Sequence, residues 1–132
     1  MSGPGARAVS STAAPAPFSA YAQAVEVAPG ARTLRISGQV GAHPDGTLGA
    51  TVEEQVELAW DNVFALLDAA AMGPSDIVDM LVILTDRAAV PVFREARDRR
   101  LGGHLACSTM LICALAHPDW QVEIAVTAAR AD

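Results

Sequence analysis

The sequence predicts an α+β domain in which two helices cover one face of a sheet, in the order strand, strand, helix, strand, helix, strand, strand. Three observations carry this reading. A capped, apolar-periodic helix opens at Thr51; Ile77 to Leu84 is a continuous apolar run of strand length; and the last third of the chain reads as two strands joined across Pro118-Asp119.

The first sixteen residues are Ser, Ala, Pro and Gly with almost no large apolar side chain, so ordering them costs more entropy than burial returns; a flexible tail is expected over 1–16, and one domain over 17–132. Tyr21 to Val27 alternates as a first strand, and Pro29-Gly30 supplies a turn. Thr33 to Val40 follows as a second strand expected to pair with the first. The cluster His43-Pro44-Asp45-Gly46-Thr47 is a turn.

Thr51 and Glu54 form a capping-box pattern, and Glu53 and Glu54 suit the positive end of a helix dipole. Val52, Val56, Ala59, Val63, Leu66, Leu67 and Ala70 recur at helical spacing until Gly73-Pro74. Ser75-Asp76 leads into the Ile77–Leu84 strand. A second helix is expected over Val90 to Leu101, with Pro91 in its first turn, Phe93, Ala96 and Leu101 inward, and Gly102-Gly103 ending it. Arg94, Glu95, Arg97, Asp98, Arg99 and Arg100 form its solvated face.

Leu105 to Ala116 is apolar at odd and even positions alike, so both of its faces call for burial. From Gln121 to Ala128 the pattern alternates, with Val122, Ile124, Val126 and Ala128 on one side and Gln121, Glu123, Ala125 and Thr127 on the other. The two arms are expected to form a hairpin with the site's chemistry beside it. Two helices cover only one sheet face, and self-association is the simplest cover for the second.

A length of 132 residues suits one domain. Hydrophobic residues make up 52% and aromatics 5%, so the core is built from Ala, Val, Leu and Ile. Fifteen acidic against nine basic residues give a net charge of −6, which opposes phosphate neutralisation and makes nucleic acid a poor partner. No apolar run is of membrane-spanning length and no signal-peptide pattern opens the chain, so a soluble, cytoplasmic protein is expected. Cys107 and Cys113 are expected as free thiols, about 20 Å apart on one continuous strand. His43, His104 and His117 lack metal-ligand spacing and no glycine-rich phosphate loop follows a strand, so neither a metal nor a nucleotide is expected.

Tyr21-Ala22-Gln23-Ala24, Ser37-Gly38-Gln39-Val40, Pro44-Asp45-Gly46, Asn62, Asp76-Ile77-Val78, Ala106, Ser108-Thr109, Pro118 and Val122-Glu123-Ile124 occur in an order and spacing that span nearly the whole chain. In these residues the sequence resembles the Rid family of reactive-intermediate deaminases, also called YjgF-type or endoribonuclease L-PSP proteins. The resemblance implies a chorismate-mutase-like fold, two helices on one face of a mixed sheet, assembled as a homotrimer with small-molecule clefts between subunits. It also implies hydrolysis of small enamines and imines without a cofactor. Such substrates are already electrophilic, so the protein has only to place water, manage a proton and orient the ligand. Carried over, Glu123 would position or deprotonate water, Tyr21 would line the cleft, Ser37 and Gly38 would form its wall, and Ser108 and Thr109 would contact the ligand.

One departure bears on activity. Where the family's deaminases carry an arginine between the Ala and Ser of the late strand, this chain has Cys107; Leu105 replaces a proline, and Ser19-Ala20 replace the Gly-Pro before the tyrosine. That arginine holds the substrate carboxylate in a forked contact that a thiol cannot imitate. Losing it costs about 2–5 kcal/mol, enough to abolish useful binding of a small acid. Cys107 is a small apolar filler, an unreactive cleft residue, or a catalytic thiolate with His104 as its nearby base. Glu123 serves the cleft or a structural hydrogen bond across subunits; Tyr21 serves the cleft or packing. Trp120 reads as a turn-capping core residue and Cys113 as core. Two function classes follow: an enzyme that hydrolyses an imine or enamine without the usual carboxylate or performs a related step on a specialised metabolite, or a non-catalytic trimer binding a metabolite or partner protein. The ribonuclease activity described for some family members is disfavoured by the acidic balance.

Overall fold

The computed structural model describes residues 3–132, with strands β1 (Gly3–Pro4), β2 (Ala6–Val9), β3 (Ala24–Val27), β4 (Arg32–Val40), β5 (Ile77–Leu84), β6 (Cys107–Ile112) and β7 (Val122–Ala131), and helices α1 (Val52–Ala69) and α2 (Val90–Leu101). The main sheet is mixed. β7 is its centre, antiparallel to β4 on one side and to β5 on the other, and β6 lies parallel beyond β5. The parallel β5–β6 pair needs a crossover, which α2 supplies.

Thr51 caps α1 as expected, its hydroxyl accepting from the Glu54 amide at 3.1 Å while Glu54 Oε2 accepts from Ala50 N at 2.8 Å. Val56, Ala59, Val63 and Leu67 are fully buried, joined by Trp60, which stacks on Phe93 of α2 at 6.1 Å. Together with Met80, Val82 and Leu84 of β5 and Val122, Ile124 and Val126 of β7 they form the core. Leu66, expected inward, is 42% exposed, because it sits at the rim of the buried stripe. The helix also stops earlier than Gly73-Pro74: Met72 N donates to Leu67 O and Ala71 N to Asp68 O, with Ala71 in the left-handed region at φ 56°.

Several connections differ from the sequence expectation. The first two strands of the expected domain do not pair with each other; β3 pairs with β2, and β4 pairs with β7. The tail expected through Ala16 is strand over Gly3–Pro4 and Ala6–Val9, while Met1 and Ser2 lie outside the described residues. Main-chain ladder bonds order this segment, with an Arg7–Glu26 ion pair across the β2–β3 ribbon, where side-chain burial alone would not. Residues 21–23 precede β3 rather than opening it.

The two C-terminal strands are not a hairpin. β5 lies between them, pairing Leu84 with Ile112 on one side and with Val122 on the other. The 113–121 connection passes over the end of β5, held there by Cys113 N to Leu84 O and Thr85 N to Gln121 O. Cys113 is therefore exposed rather than core. Trp120 is only half-buried and sits against the His117 ring at 5.5 Å. On α2, Arg97 departs from the solvated face: it is 2% exposed, one turn after buried Phe93, with its Nε donating to Asp98. An aliphatic stem on the inward stripe carries the guanidinium into the core.

The helices cover one face of the sheet and leave the other open. Asp79, Leu81 and Ile83 of β5 share that open face with Cys107, Thr109 and Leu111 of β6 and with Glu123, Ala125 and Thr127 of β7. Leu81 and Leu111 are 38% and 46% exposed there.

Candidate functional site

Glu123 stands on the open face, half-buried, between Ile83 of β5 and Val40 of β4. The β4 register shifts between Ile36 and Gln39, which places Ser37 and Gly38 in a bulge beside β7. A side chain at Gly38 has no room: a Cβ there would lie 2.6 Å from Cδ and 2.7 Å from Oε2 of Glu123. The bare backbone is what leaves room for the carboxylate. Asn62 of α1 fixes the same end of β4, donating to Val40 O at 3.1 Å and Ala42 O at 2.9 Å.

Cys107 and Thr109 lie on the open face of β6, Cys107 at the end away from Glu123, and the Tyr21 segment reaches the start of that strand. Ala22 N donates to Ala106 O at 2.9 Å, which ties the Tyr21 segment to the start of β6. Gln23 braces that segment from behind, accepting from Ser11 N at 2.8 Å and donating to Pro15 O at 2.8 Å. The Tyr21 hydroxyl accepts from Phe18 N at 3.1 Å. Ser108 alternates to the opposite side of β6, level with buried Met80, and so does not join Cys107 and Thr109.

Cys107 and Asp79 are register partners on neighbouring parallel strands. Burial pushes the Cys107 thiol above its ordinary pKa, the Asp79 charge pushes it further, and a backbone contact with Val25 opposes them. The thiol is held neutral. His104 does not act on it; its Nε2 is 2.7 Å from the carbonyl oxygen of Ile77.

The two ends of the site belong to one face but not to one ligand. Cys107 lies two strands from Glu123, about 10 Å, and four residues along, about 13 Å, so their Cα atoms are about 16 Å apart. A small imine does not bridge that span within one chain. A separate cavity of about 310 Å³, lined among others by Arg7, Val25, Asp76, His104 and Arg130, contains none of the expected site residues. Among the described residues no group of three or more His, Cys, Asp or Glu is placed to hold a metal ion, and no helix is long and apolar enough to cross a membrane.

Residues 11–130 match the model of the family described as endoribonuclease L-PSP. The chain belongs to that family. The endoribonuclease L-PSP family is the Rid, or YjgF-type, group that the motifs resemble. The chain is 38% identical to a RutC family protein of Aquifex aeolicus over 93 residues, 70% of each chain. It is 41% identical over 83 residues to the 2-iminobutanoate/2-iminopropanoate deaminase of Mus musculus, covering 61% of this chain and 58% of the mouse protein. Among solved structures, RidA from an Antarctic Psychrobacter superposes with a TM-score of 0.71 at 28% identity, covering 93% of this chain and 98% of that one. The Rid-family protein YyfB of Yersinia pestis superposes at 0.81 and 24% identity, over 95% and 98% of the two chains, a likeness that concerns the fold alone.

Two residues beside the candidate site residues escaped the sequence reading. Gln55, 3% exposed, donates to Gly49 O and Asp119 O and accepts from Gln121 N at 2.9 Å, so it holds the loop that delivers β7 and Glu123. Its signal was a polar residue beside Val56, next to the apolar stripe. Asp79 was absorbed into an apolar strand run, although a carboxylate amid Val, Met and Leu is itself the signal.

Proposed function

We propose that this Rid-family chain hydrolyses a small imine or enamine in clefts formed between the subunits of a homotrimer, and that its substrate is not the amino-acid-derived 2-aminoacrylate or 2-imino acid of the standard deaminases. The observation that carries the reading is Glu123, a carboxylate seated against the Gly38 backbone on a sheet face that no helix covers. The deaminase named among the relatives supports the reaction class.

The reaction balances as one protonated imine and one water giving one carbonyl compound and one ammonium ion, with no change of oxidation state. Glu123 accepts a proton from water as its oxygen bonds to the imine carbon, and the carbinolamine nitrogen then takes that proton and leaves as ammonia, the hydroxyl proton departing with it as the carbonyl forms. Tyr21, Ser37 and Thr109 orient the substrate, and Cys107, held neutral, fills space without attacking. Because Glu123 and Cys107 lie about 16 Å apart in one chain, a cleft uses Glu123 of one subunit facing the Tyr21–Cys107 end of the next. The exposed Leu81 and Leu111 belong to the face that assembly covers.

Two measurements test this. Light scattering is expected to give a mass near three chains, and a well-folded monomer at micromolar concentration would remove the cleft. Glu123→Gln keeps the side-chain shape and loses the base, so imine hydrolysis is expected to fall at least 100-fold with the assembly intact. Unchanged turnover would end the role given to Glu123.

A further inference from the structure

We propose that Asp79 sets the substrate class of this cleft, selecting a ligand with a cationic head and rejecting carboxylates. This rests on the cleft reading above and adds to it the charge that the Tyr21–Cys107 end presents. Asp79 is exposed on the open face, directly beside Cys107 in register. Among the described residues no cation comes within ion-pair distance of it. Along that row of the sheet the order is Arg35, Thr127, Asp79, Cys107, so Arg35 stands about 10 Å from Asp79, two strand spacings away. The charged strand residues of the open face are then Arg35 at one edge and the carboxylates Asp79 and Glu123.

Two carboxylates and a neutral thiol make a surface that repels an anion by like charge and attracts an ammonium or iminium group. An imine without a carboxylate fits this surface. Such imines arise when a primary amine, rather than an amino acid, is oxidised at the carbon bearing nitrogen. Oxidation of an amine is therefore the class of reaction that supplies this substrate, and a carbonyl compound with ammonium is what leaves.

Calorimetry at low salt compares butylammonium with 2-oxobutanoate, probes of similar size and opposite charge, on the assembled protein. Butylammonium is expected to bind wild type at least tenfold more tightly. Asp79→Asn is expected to shrink that preference about tenfold, and Asp79→Glu to keep most of it. The proposal is overturned if neither probe binds, if 2-oxobutanoate binds as well or better, or if Asp79→Asn leaves the ratio unchanged. A second arm offers the imine made from butylamine by a flavin amine oxidase and the imino acids made by an amino-acid oxidase. Faster hydrolysis of the imino acids by wild type overturns Asp79 selection while leaving the hydrolase reading intact. A binding preference that depends on Asp79, with neither imine hydrolysed faster than in buffer, leaves Asp79 selection standing and removes the hydrolase reading instead.

Discussion

Gly38 and Glu123 are in contact through a backbone that has no Cβ: any side chain at position 38 would lie 2.6 Å from the carboxylate carbon across the β4 bulge. The backbone there is not in the left-handed region, so the requirement is for space rather than for conformational freedom. Gly38→Ala is therefore expected to fold and to displace Glu123. A shift of about 1 Å in a catalytic group can cost around 100-fold, so turnover on the true substrate should fall by that order while the thermal midpoint moves little. Full activity in Gly38→Ala would show that Glu123 reaches its working position by another route.

Cys107→Arg tests how far the family's site still stands. Wild type is expected not to accelerate hydrolysis of imino acids. Cys107→Arg supplies a cation, but Asp79 is its register partner and would hold the guanidinium in an ion pair. The single variant is thus expected to gain little, and the double variant Asp79→Asn with Cys107→Arg at least ten times more. Equal gains would mean that Asp79 does not govern this end of the cleft.

Ala71 closes α1 at φ 56°, a conformation that costs an L-residue roughly 1–2 kcal/mol and glycine almost nothing. Ala71→Gly lowers that strain and raises the entropy of the unfolded chain, offsetting about 0.4–1 kcal/mol. A net stabilisation of up to about 1 kcal/mol is expected in urea unfolding. A loss of stability would mean that the Ala71 methyl packs more favourably than its backbone is strained.

Glu57 clamps the two helices by accepting from Arg99 at 2.7 Å and from Arg100 at 3.1 Å. The Arg99 hydrogen bond is the largest influence holding its carboxyl below the ordinary 4.5, burial opposes it, and Arg100 adds to the lowering. A carboxyl lowered on folding stabilises the fold above its unfolded pKa, and this contribution is lost as pH falls through the folded value. The gap in thermal midpoint between wild type and Glu57→Gln should be constant above about pH 5.5 and close progressively below about pH 4.5. A gap that does not change between pH 7 and pH 3 would show that the clamp works by shape alone.

The local elements were readable because each rests on neighbours in sequence. Thr51 and Glu54 cap α1, Pro91 and Gly102 bound α2, and the alternation of Val122 to Ala128 assigns Glu123 to the opposite face from the core. The motifs around Tyr21, Gly38 and Glu123 were enough to suggest the family, since their spacing spans the chain. Strand adjacency was not readable in the same way. Leu105–Ala116 and Gln121–Ala128 carry the pattern of a hairpin, yet β5 lies between them, because ladder partners are chosen by the packing of whole elements and not by proximity along the chain. Tertiary structure alone decided that Asp79 stands beside Cys107, that Gly38 makes room for Glu123, and that Glu123 and Cys107 are too far apart to serve one ligand within one chain. Each is a spatial relation between residues on different strands, set by sheet register, where a shift of one residue turns every side chain to the other face.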